Sequence, residues 1–284
     1  MSPDFLCIGA QKAGTTWLYR NLESHPQVWL PPVKELHYFD NPHRVPLIFK
    51  FVGSRKQNRR ARKEVRRFLS VLGDSPRRNW YRRFLFHPRN DPWYSSLFSP
   101  GPNQLAGEMS PSYATLSEGR VAHIHAVLPE LKIIFLIRNP IQRTWSSAAM
   151  YFSKQGHPSL DDVDESHLMD YFRKRGSQKR SDYLRTLQIW EKYYAPRQIF
   201  IGFFDQLEQA PGSLLRDIYR FLSIDDSAQH IPERVSEKVN ARSYSQMPPE
   251  ISEYLTQRFS VQIQQLHQRF ANKYTAAWLR SIQE

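Results

Sequence analysis

The sequence contains one cysteine and no long hydrophobic run. Cys7 is the only cysteine among 284 residues, which excludes an intramolecular disulfide framework and suits a reducing compartment. No stretch approaches the roughly 18 consecutive apolar residues of a membrane-spanning helix, and residues 1–10 lack the basic and apolar regions of a signal peptide. We therefore expect a soluble, cytoplasmic protein.

Acidic residues are scarce between positions 41 and 100. This segment holds 15 Lys and Arg against 3 Asp and Glu, and so carries +12 of the net charge of +13. Its run SRKQNRRARKEVRRF (54–68) suits a polyanion, a membrane surface or an acidic substrate, or is simply a solvated helical face. We expect the aromatic residues that follow to pack the segment onto the domain rather than stack on bases: Trp80, Tyr81, Phe84 and Phe86.

Apolar runs alternate with helical periodicity over most of the chain. Short strands are predicted at 4–9, 28–30, 132–138 and 198–204, and helices at 15–25, 117–128, 141–152, 183–194, 211–222 and 249–270. Strands that are apolar on both faces and alternate with helices indicate a parallel sheet. The predicted fold is α/β, a P-loop-like parallel β-sheet flanked by helices on both faces. It forms a single domain over 1–284, with a basic insertion of short helices and irregular connections at about 41–106.

The stretch IGAQKAGTTW (8–17) resembles a Walker A loop with a displaced lysine. Gly9 and Gly14 keep the Walker spacing, but Lys12 lies between them and Thr15 occupies the usual lysine position. A glycine-flanked turn from a strand into a helix directs backbone N–H groups and the helix dipole at an anion, although a tight turn capped by threonine is the alternative. Because the strongest strand ends in Arg138 and not in aspartate, we expect a nucleotide-borne anion without magnesium-dependent phosphoryl transfer.

A second anion motif, RNPIQRTWS (138–146), follows that strand. Arg138 leaves the sheet at the edge where open α/β folds bind ligands, and its guanidinium can clasp a phosphate with two hydrogen bonds. Pro140 fits the first turn of the next helix. Arg143 is either part of the motif or an ordinary surface arginine of that helix.

These two motifs resemble those of sulfotransferases that use 3′-phosphoadenosine-5′-phosphosulfate (PAPS) as donor and release 3′-phosphoadenosine-5′-phosphate (PAP). QKAGTTWL (11–18) is similar to their 5′-phosphosulfate loop, and RNPIQRTWS to their 3′-phosphate signature. The resemblance runs from about 4 to 245 outside the insertion. It implies that Arg138 and Ser146 bind the 3′-phosphate, that Lys12 stabilises the departing 5′-phosphate, and that the rest of the loop contacts the donor: Ala13, Gly14, Thr15, Thr16 and Trp17.

KELHYFD (34–40) resembles the E-x-H-[FY]-F-D segment of heparan sulfate and related bacterial sulfotransferases. The resemblance implies that Glu35 is the catalytic base and that His37 and Asp40 orient it. An extended backbone here would direct residues 35 and 37 to the same side.

GEMSPSY (107–113) is similar to the stretch that lines the acceptor cleft in the same enzymes, with Glu108 and Tyr113 as candidate substrate contacts. Glu108 either hydrogen-bonds the acceptor or caps a turn. Met109 stands where heparan sulfate members often have lysine, which weakens the case for a polysaccharide acceptor.

Near the end, EKVNARSY (237–244) matches a basic loop that closes over the nucleotide in the family, so that Lys238 and Arg242 are either donor contacts or surface charges. Tyr183, in SDYLRTLQIW (181–190), is expected near the donor.

The sequence thus predicts a metal-independent sulfotransferase acting on a hydroxyl or amine, with small molecules, carbohydrates and lipids as candidate acceptors. It needs no nucleic acid, although peripheral membrane contact stays open. The alternatives are a P-loop kinase or NTPase with a degenerate loop, and a nucleic-acid-binding protein that uses the basic segment 54–90. Oligomeric state is not predicted.

Overall fold

The computed structural model describes residues 1–41, 45–52, 55–71, 73–173, 178–239 and 246–283, with the backbone alone at 50–52 and 55–60. Five strands form one sheet in the order β2-β3-β1-β4-β5, and every pair of neighbours is parallel. The strands are β1 (Phe5–Gly9), β2 (Val28–Trp29), β3 (Leu105–Met109), β4 (Lys132–Ile137) and β5 (Ile199–Phe203).

Helices connect these strands and cover the sheet on both faces, which confirms the predicted α/β class. In chain order they are α1 (Thr15–Leu22), α2 (Arg55–Ser70), α3 (Ser75–Phe86), α4 (Asp91–Ser96), α5 (Glu118–Val127), α6 (Pro140–Ser153), α7 (Glu165–Arg173), α8 (Tyr183–Trp190), α9 (Phe204–Gln209), α10 (Pro211–Leu222), α11 (Pro249–Phe270) and α12 (Lys273–Arg280). Short 3-10 turns include Leu47–Val52, Pro111–Thr115 and Glu233–Ser236. In the described part of the chain, no helix is both long and apolar enough to cross a bilayer.

The continuous apolar runs predicted as strands form β1 and β4, and the structure places both inside the sheet. All five residues of β1 are buried, and so are Ile133–Ile137 of β4. Strand β3 was not predicted, because its sequence LAGEM is neither β-branched nor alternating. It nevertheless lies between β1 and β2, where Gly107 lets the Phe5 ring approach the backbone.

The basic insertion is more helical than predicted and ends before β3. Asp74 caps α3 by accepting from the Arg77 N–H at 3.1 Å, and Asn90 caps α4 by accepting from the Trp93 N–H at 2.8 Å. A proline follows each cap within two residues, as helix starts favour. The expected packing of the aromatic residues is confirmed for Trp80, Tyr81 and Phe84, which are buried, whereas Phe86 is 43% exposed.

The close approach at Gly107 generates a stability prediction. A Cβ atom there would lie 2.0 Å from the Cζ atom of buried Phe5, so Gly107→Ala should lower the free energy of unfolding by about 2 kcal/mol or more. Gly119→Ala in α5 is the matched control, since its Cβ meets nothing within 4 Å and alanine favours helix. Urea unfolding measures both; equal midpoints for Gly107→Ala and the wild type would contradict the packing described.

Candidate functional site

The parallel sheet gathers the predicted site segments at one edge. The loop 10–14 follows β1, the segment 34–40 lies beyond β2, residues 110–115 follow β3, and Arg138 follows β4. The carboxyl ends of parallel strands share an edge, which is where open α/β sheets bind their ligands.

The first loop ends in a left-handed glycine. Gly14 occupies the N-cap position of α1 with φ 91°, so the alternative of a threonine cap is wrong. Because glycine has no side chain to cap the helix, the first-turn N–H groups of α1 can serve an anion. Lys12, also at positive φ (76°), is half-buried within this loop, and Ala13 and Thr15 are buried beside it.

Lys34 joins this loop to the candidate base. Its Nζ donates to the Thr16 hydroxyl at 3.0 Å and lies 3.6 Å from a carboxylate oxygen of Glu35. Lys34 was not predicted to have a role; its place next to Glu35 was the only sequence signal. The contact puts the Glu35 carboxylate beside the first turn of α1.

Glu35, His37 and Asp40 form a chain of polar contacts. His37 Nε2 lies 3.3 Å from Glu35 Oε2, and His37 Nδ1 lies 2.6 Å from Asp40 Oδ2 and 3.2 Å from the Ser112 hydroxyl. Burial acts to raise the pKa of Asp40, but the hydrogen bonds and charge at His37 outweigh it and hold that pKa below its usual value. Asp40 is therefore an ionised partner for the imidazole, whose other nitrogen faces Glu35.

The backbone of this segment is not extended, contrary to the prediction. Glu35 and His37 both have positive φ, at 67° and 54°. Arg89, which was not predicted to have a role, is buried and donates from Nη2 to the Leu36 and His37 carbonyls at 3.1 and 2.6 Å. The side chains of residues 35 and 37 meet because these contacts fold the segment, and not because of strand alternation.

Glu108 and Tyr113 are fully buried and face the protein interior. Glu108 accepts hydrogen bonds from the Ser110 and Tyr113 hydroxyls at 2.6 and 2.9 Å, from the Tyr94 hydroxyl, and from the Leu36 N–H at 3.2 Å. Burial raises the pKa of Glu108 against the effect of these bonds. The structure shows no exposed atom of either residue for the expected contact with an acceptor, because both side chains are used to fix the segment that carries Glu35.

Arg138 lies where β4 gives way to α6. Its Cζ atom is 4.2 Å from the centroid of the Phe204 ring, and its carbonyl accepts from the Tyr183 hydroxyl at 2.8 Å. Among the described residues, no group hydrogen-bonds its buried Nε. A ring face holds the guanidinium without occupying a hydrogen-bond donor, so the Nε–H is available to a ligand.

Ser146 and Arg143 both lie on the buried side of α6. Ser146 is 1% exposed and Arg143 is fully buried, so the surface interpretation of Arg143 is wrong. Arg143 donates to the hydroxyls of Ser181 and Thr144, and its pKa is lowered by burial and, to a smaller extent, by the nearby charges of Arg180 and Arg138. This places Arg143 behind Arg138 as a structural neighbour.

Helix α9 links the two anion motifs and was not found from the sequence. Besides the contact of Phe204 with Arg138, a Cβ atom at Gly14 would lie 2.5 Å from Leu207 and 3.6 Å from Phe204. Phe204 lies at the end of a predicted strand, and no motif marks it as functional.

The C-terminal loop is tied to α1 at Trp17. The buried indole of Trp17 donates to the Val235 carbonyl at 2.7 Å, and Arg234 donates to the Arg20 carbonyl at 2.8 Å. Lys238 is exposed a few residues further on, and Arg242 lies outside the described residues. Over the described chain, no group of His, Cys, Asp and Glu has the arrangement of a metal site.

The chain is similar to known sulfotransferases in sequence and in fold. The human heparan sulfate glucosamine 3-O-sulfotransferase 6 is 28% identical over 179 residues, which are 61% of this chain and 51% of that protein; the chain therefore spans about half the length of this relative. A sulfotransferase from Alicyclobacillus acidocaldarius has the same fold, with a TM-score of 0.66 at 21% identity over 98% of this chain and 99% of that one.

A mouse sulfotransferase solved in complex with PAP also shares the fold, with a TM-score of 0.51 at 14% identity over 98% of this chain and 88% of that one. The family model described as "Sulfotransferase family" matches residues 3–228, most of the chain. By that match, the chain belongs to the sulfotransferase family.

Proposed function

We propose that the protein transfers a sulfuryl group from PAPS to a hydroxyl or amine. The observation that carries the proposal is the chain Lys34–Glu35–His37–Asp40, which reaches the first turn of α1 through the 3.0 Å contact between Lys34 and Thr16. Membership of the sulfotransferase family favours sulfuryl transfer over magnesium-dependent phosphoryl transfer by a degenerate Walker loop.

In the proposed reaction, the acceptor oxygen or nitrogen forms a bond to sulfur while the bond from sulfur to the 5′-phosphate oxygen breaks. Glu35, whose side chain is 37% exposed, takes the acceptor proton. His37 lies within reach of that carboxylate, and ionised Asp40 fixes the ring. Lys12 and the first-turn N–H groups of α1 stabilise the negative charge that develops on the departing phosphate.

For the donor, Arg138 and Ser146 would hold the 3′-phosphate, and the loop from Ala13 to Trp17 would hold the 5′ side. Arg138 fits this task because its buried Nε has no hydrogen-bond acceptor among the described residues. Trp17 fits a role in donor binding because its indole is hydrogen-bonded to the loop that precedes Lys238 and Arg242. We propose these two residues as further contacts to the donor. The released nucleotide would be PAP.

For the acceptor, we propose a chemical class and not an individual compound. The human relative acts, by its name, on heparan sulfate glucosamine. A hydroxyl or amine on a sugar, a lipid-linked sugar or a small molecule would suit Glu35 equally well. A screen of these classes with labelled PAPS should identify it, and the absence of label transfer to any class would count against the proposal.

Donor recognition is predicted to depend on Arg138. PAP should bind much more tightly than 5′-AMP, and Arg138→Lys should weaken PAP by about tenfold, because lysine lacks the two-pronged geometry, and leave 5′-AMP unchanged. Isothermal titration calorimetry measures both ligands, with exposed Arg197→Lys as the matched control. Equal affinities of the wild type for PAP and 5′-AMP would remove the 3′-phosphate assignment.

Phe204 is predicted to orient Arg138. Phe204→Leu keeps a branched side chain beside Gly14 but removes the ring face, so PAP affinity should fall several-fold, up to about tenfold, while 5′-AMP affinity holds. Phe204→Tyr retains the ring and should behave as the wild type. A parallel loss for both nucleotides in Phe204→Leu would show that the helix supports the loop and not Arg138.

The base assignment is tested with Glu35→Gln. This variant should lose about a hundredfold or more in turnover, because the amide cannot accept the proton, and should bind PAP as the wild type does. Glu130→Gln, at an exposed position outside the site, is the control. Full turnover by Glu35→Gln in a labelled-donor assay would refute the assignment.

A further inference from the structure

The insertion presents a cationic surface that the transfer reaction does not use. We call it the hairpin surface; it consists of exposed side chains on α2 and α3 and in the turn before them: Phe49, Arg62, Lys63, Arg66, Leu69, Arg77, Arg78, Arg82 and Phe86. The segment 41–100 carries nearly all of the protein's net charge. The positive charge of the protein is therefore concentrated in the basic insertion.

Helix α3 fastens this elaboration to the protein. Its Trp80 and Phe84 are buried, and the Trp80 indole donates to the Leu97 carbonyl at 2.7 Å. The Trp93 indole donates to the carbonyl of Arg83 at 2.8 Å. The basic side chains of α3 are consequently held on the outside of an anchored helix.

Helix α2 has one inner and one outer side. Ala61 and Glu64 are buried, and Glu64 is paired with Arg67 at 3.2 Å. Arg62, Lys63 and Arg66 are exposed. At 100° per residue, these three residues share the side of the helix away from Ala61.

Large apolar side chains are exposed on the same surface. Leu69 is 56% exposed and Phe86 is 43% exposed, and the Phe86 ring packs edge-on against Phe68, the neighbour of Leu69 in α2, with 5.8 Å between centroids. Phe49, 65% exposed, lies in the 3-10 turn that packs on α2 and α3. Exposed apolar side chains do not improve contact with water or with a soluble polyanion, so their presence indicates a partner that has an apolar part.

We propose that the hairpin surface docks the protein on an anionic lipid bilayer. The cations match the negative lipid headgroups, and Leu69 and Phe86 enter the boundary between headgroups and acyl chains. This combination distinguishes a bilayer from nucleic acid, which satisfies the charges but not the exposed aliphatic group. The proposal is independent of the sulfuryl transfer.

Docking in this way would bring the transfer site close to the bilayer. Arg89, three residues beyond the end of α3, donates to the Leu36 and His37 carbonyls at 3.1 and 2.6 Å. These two carbonyls belong to the segment that carries Glu35. The hairpin surface and the candidate base thus belong to adjoining parts of the structure.

Vesicle co-sedimentation of the full chain tests the proposal. The protein should bind vesicles of phosphatidylcholine mixed with phosphatidylglycerol far more tightly than vesicles of phosphatidylcholine alone. Arg62→Ala/Lys63→Ala/Arg66→Ala should weaken this binding by about a hundredfold, since each basic residue contributes about fivefold. Arg197→Ala/Arg216→Ala/Arg280→Ala removes the same charge from exposed positions elsewhere and should change it little.

A second variant separates the bilayer from a soluble polyanion. Leu69→Ser/Phe86→Ser keeps every charge and should weaken vesicle binding by about tenfold or more, with circular dichroism confirming that the variant is folded. Equal binding of the wild type to both vesicle types would overturn the proposal. The proposal would also be overturned if Leu69→Ser/Phe86→Ser bound vesicles as the wild type does and the wild type bound single-stranded RNA tightly. That result would assign the surface to a soluble polyanion.

Discussion

The Glu108 carboxylate is the interaction on which the arrangement of the site depends. It is fully buried, and a buried carboxylate without partners is strongly unfavourable. Its hydrogen bonds come from three parts of the chain: Tyr94 in the insertion, Ser110 and Tyr113 after β3, and the N–H of Leu36. One side chain therefore joins the insertion, the sheet edge and the segment that carries Glu35 and His37, so that loss of Glu108 would remove the acceptor that these donors share.

The hydrogen bonds of Glu108 help to explain how the segment 34–40, which carries the proposed base, keeps an unfavourable backbone conformation. Glu35 and His37 have positive φ, as does Lys12 in the opposite loop, and such conformations cost non-glycine residues about 1–2 kcal/mol each. The two Arg89 bonds to carbonyl oxygens, with the Tyr113 hydroxyl accepting from the Tyr38 N–H at 3.0 Å, hold the segment in place. In this conformation the Glu35 carboxylate lies 3.3 Å from His37 and 3.6 Å from Lys34, which in turn contacts the first turn of α1.

Local sequence patterns predicted strands and anion motifs, whereas contacts between residues far apart in the sequence were not predicted. The apolar runs predicted β1 and β4, and the two anion motifs lie at the same sheet edge because parallel strands end together. Strand β3 was not predicted because the reasons for its residues lie in contacts that the local sequence does not show. Gly107 makes room for the Phe5 ring, and Glu108 accepts buried hydrogen bonds. Phe204 and Arg89 were missed for the same reason, and the surface interpretation of Arg143 failed because helix periodicity alone does not show what covers α6.

The charges of the protein fall into two groups with different physical reach. At the sheet edge, the Lys34 ammonium lies 3.6 Å from the Glu35 carboxylate, and the His37 ring lies 3.3 Å from Glu35 and 2.6 Å from Asp40, so these groups act on one another at short range. On the hairpin surface, one sign dominates at exposed positions, so its field extends over about a Debye length and weakens as salt rises. The proposed attraction of an anionic bilayer and the proposed transfer are then separable, because salt screens the exposed charges of the hairpin surface and leaves the short contacts at the sheet edge intact.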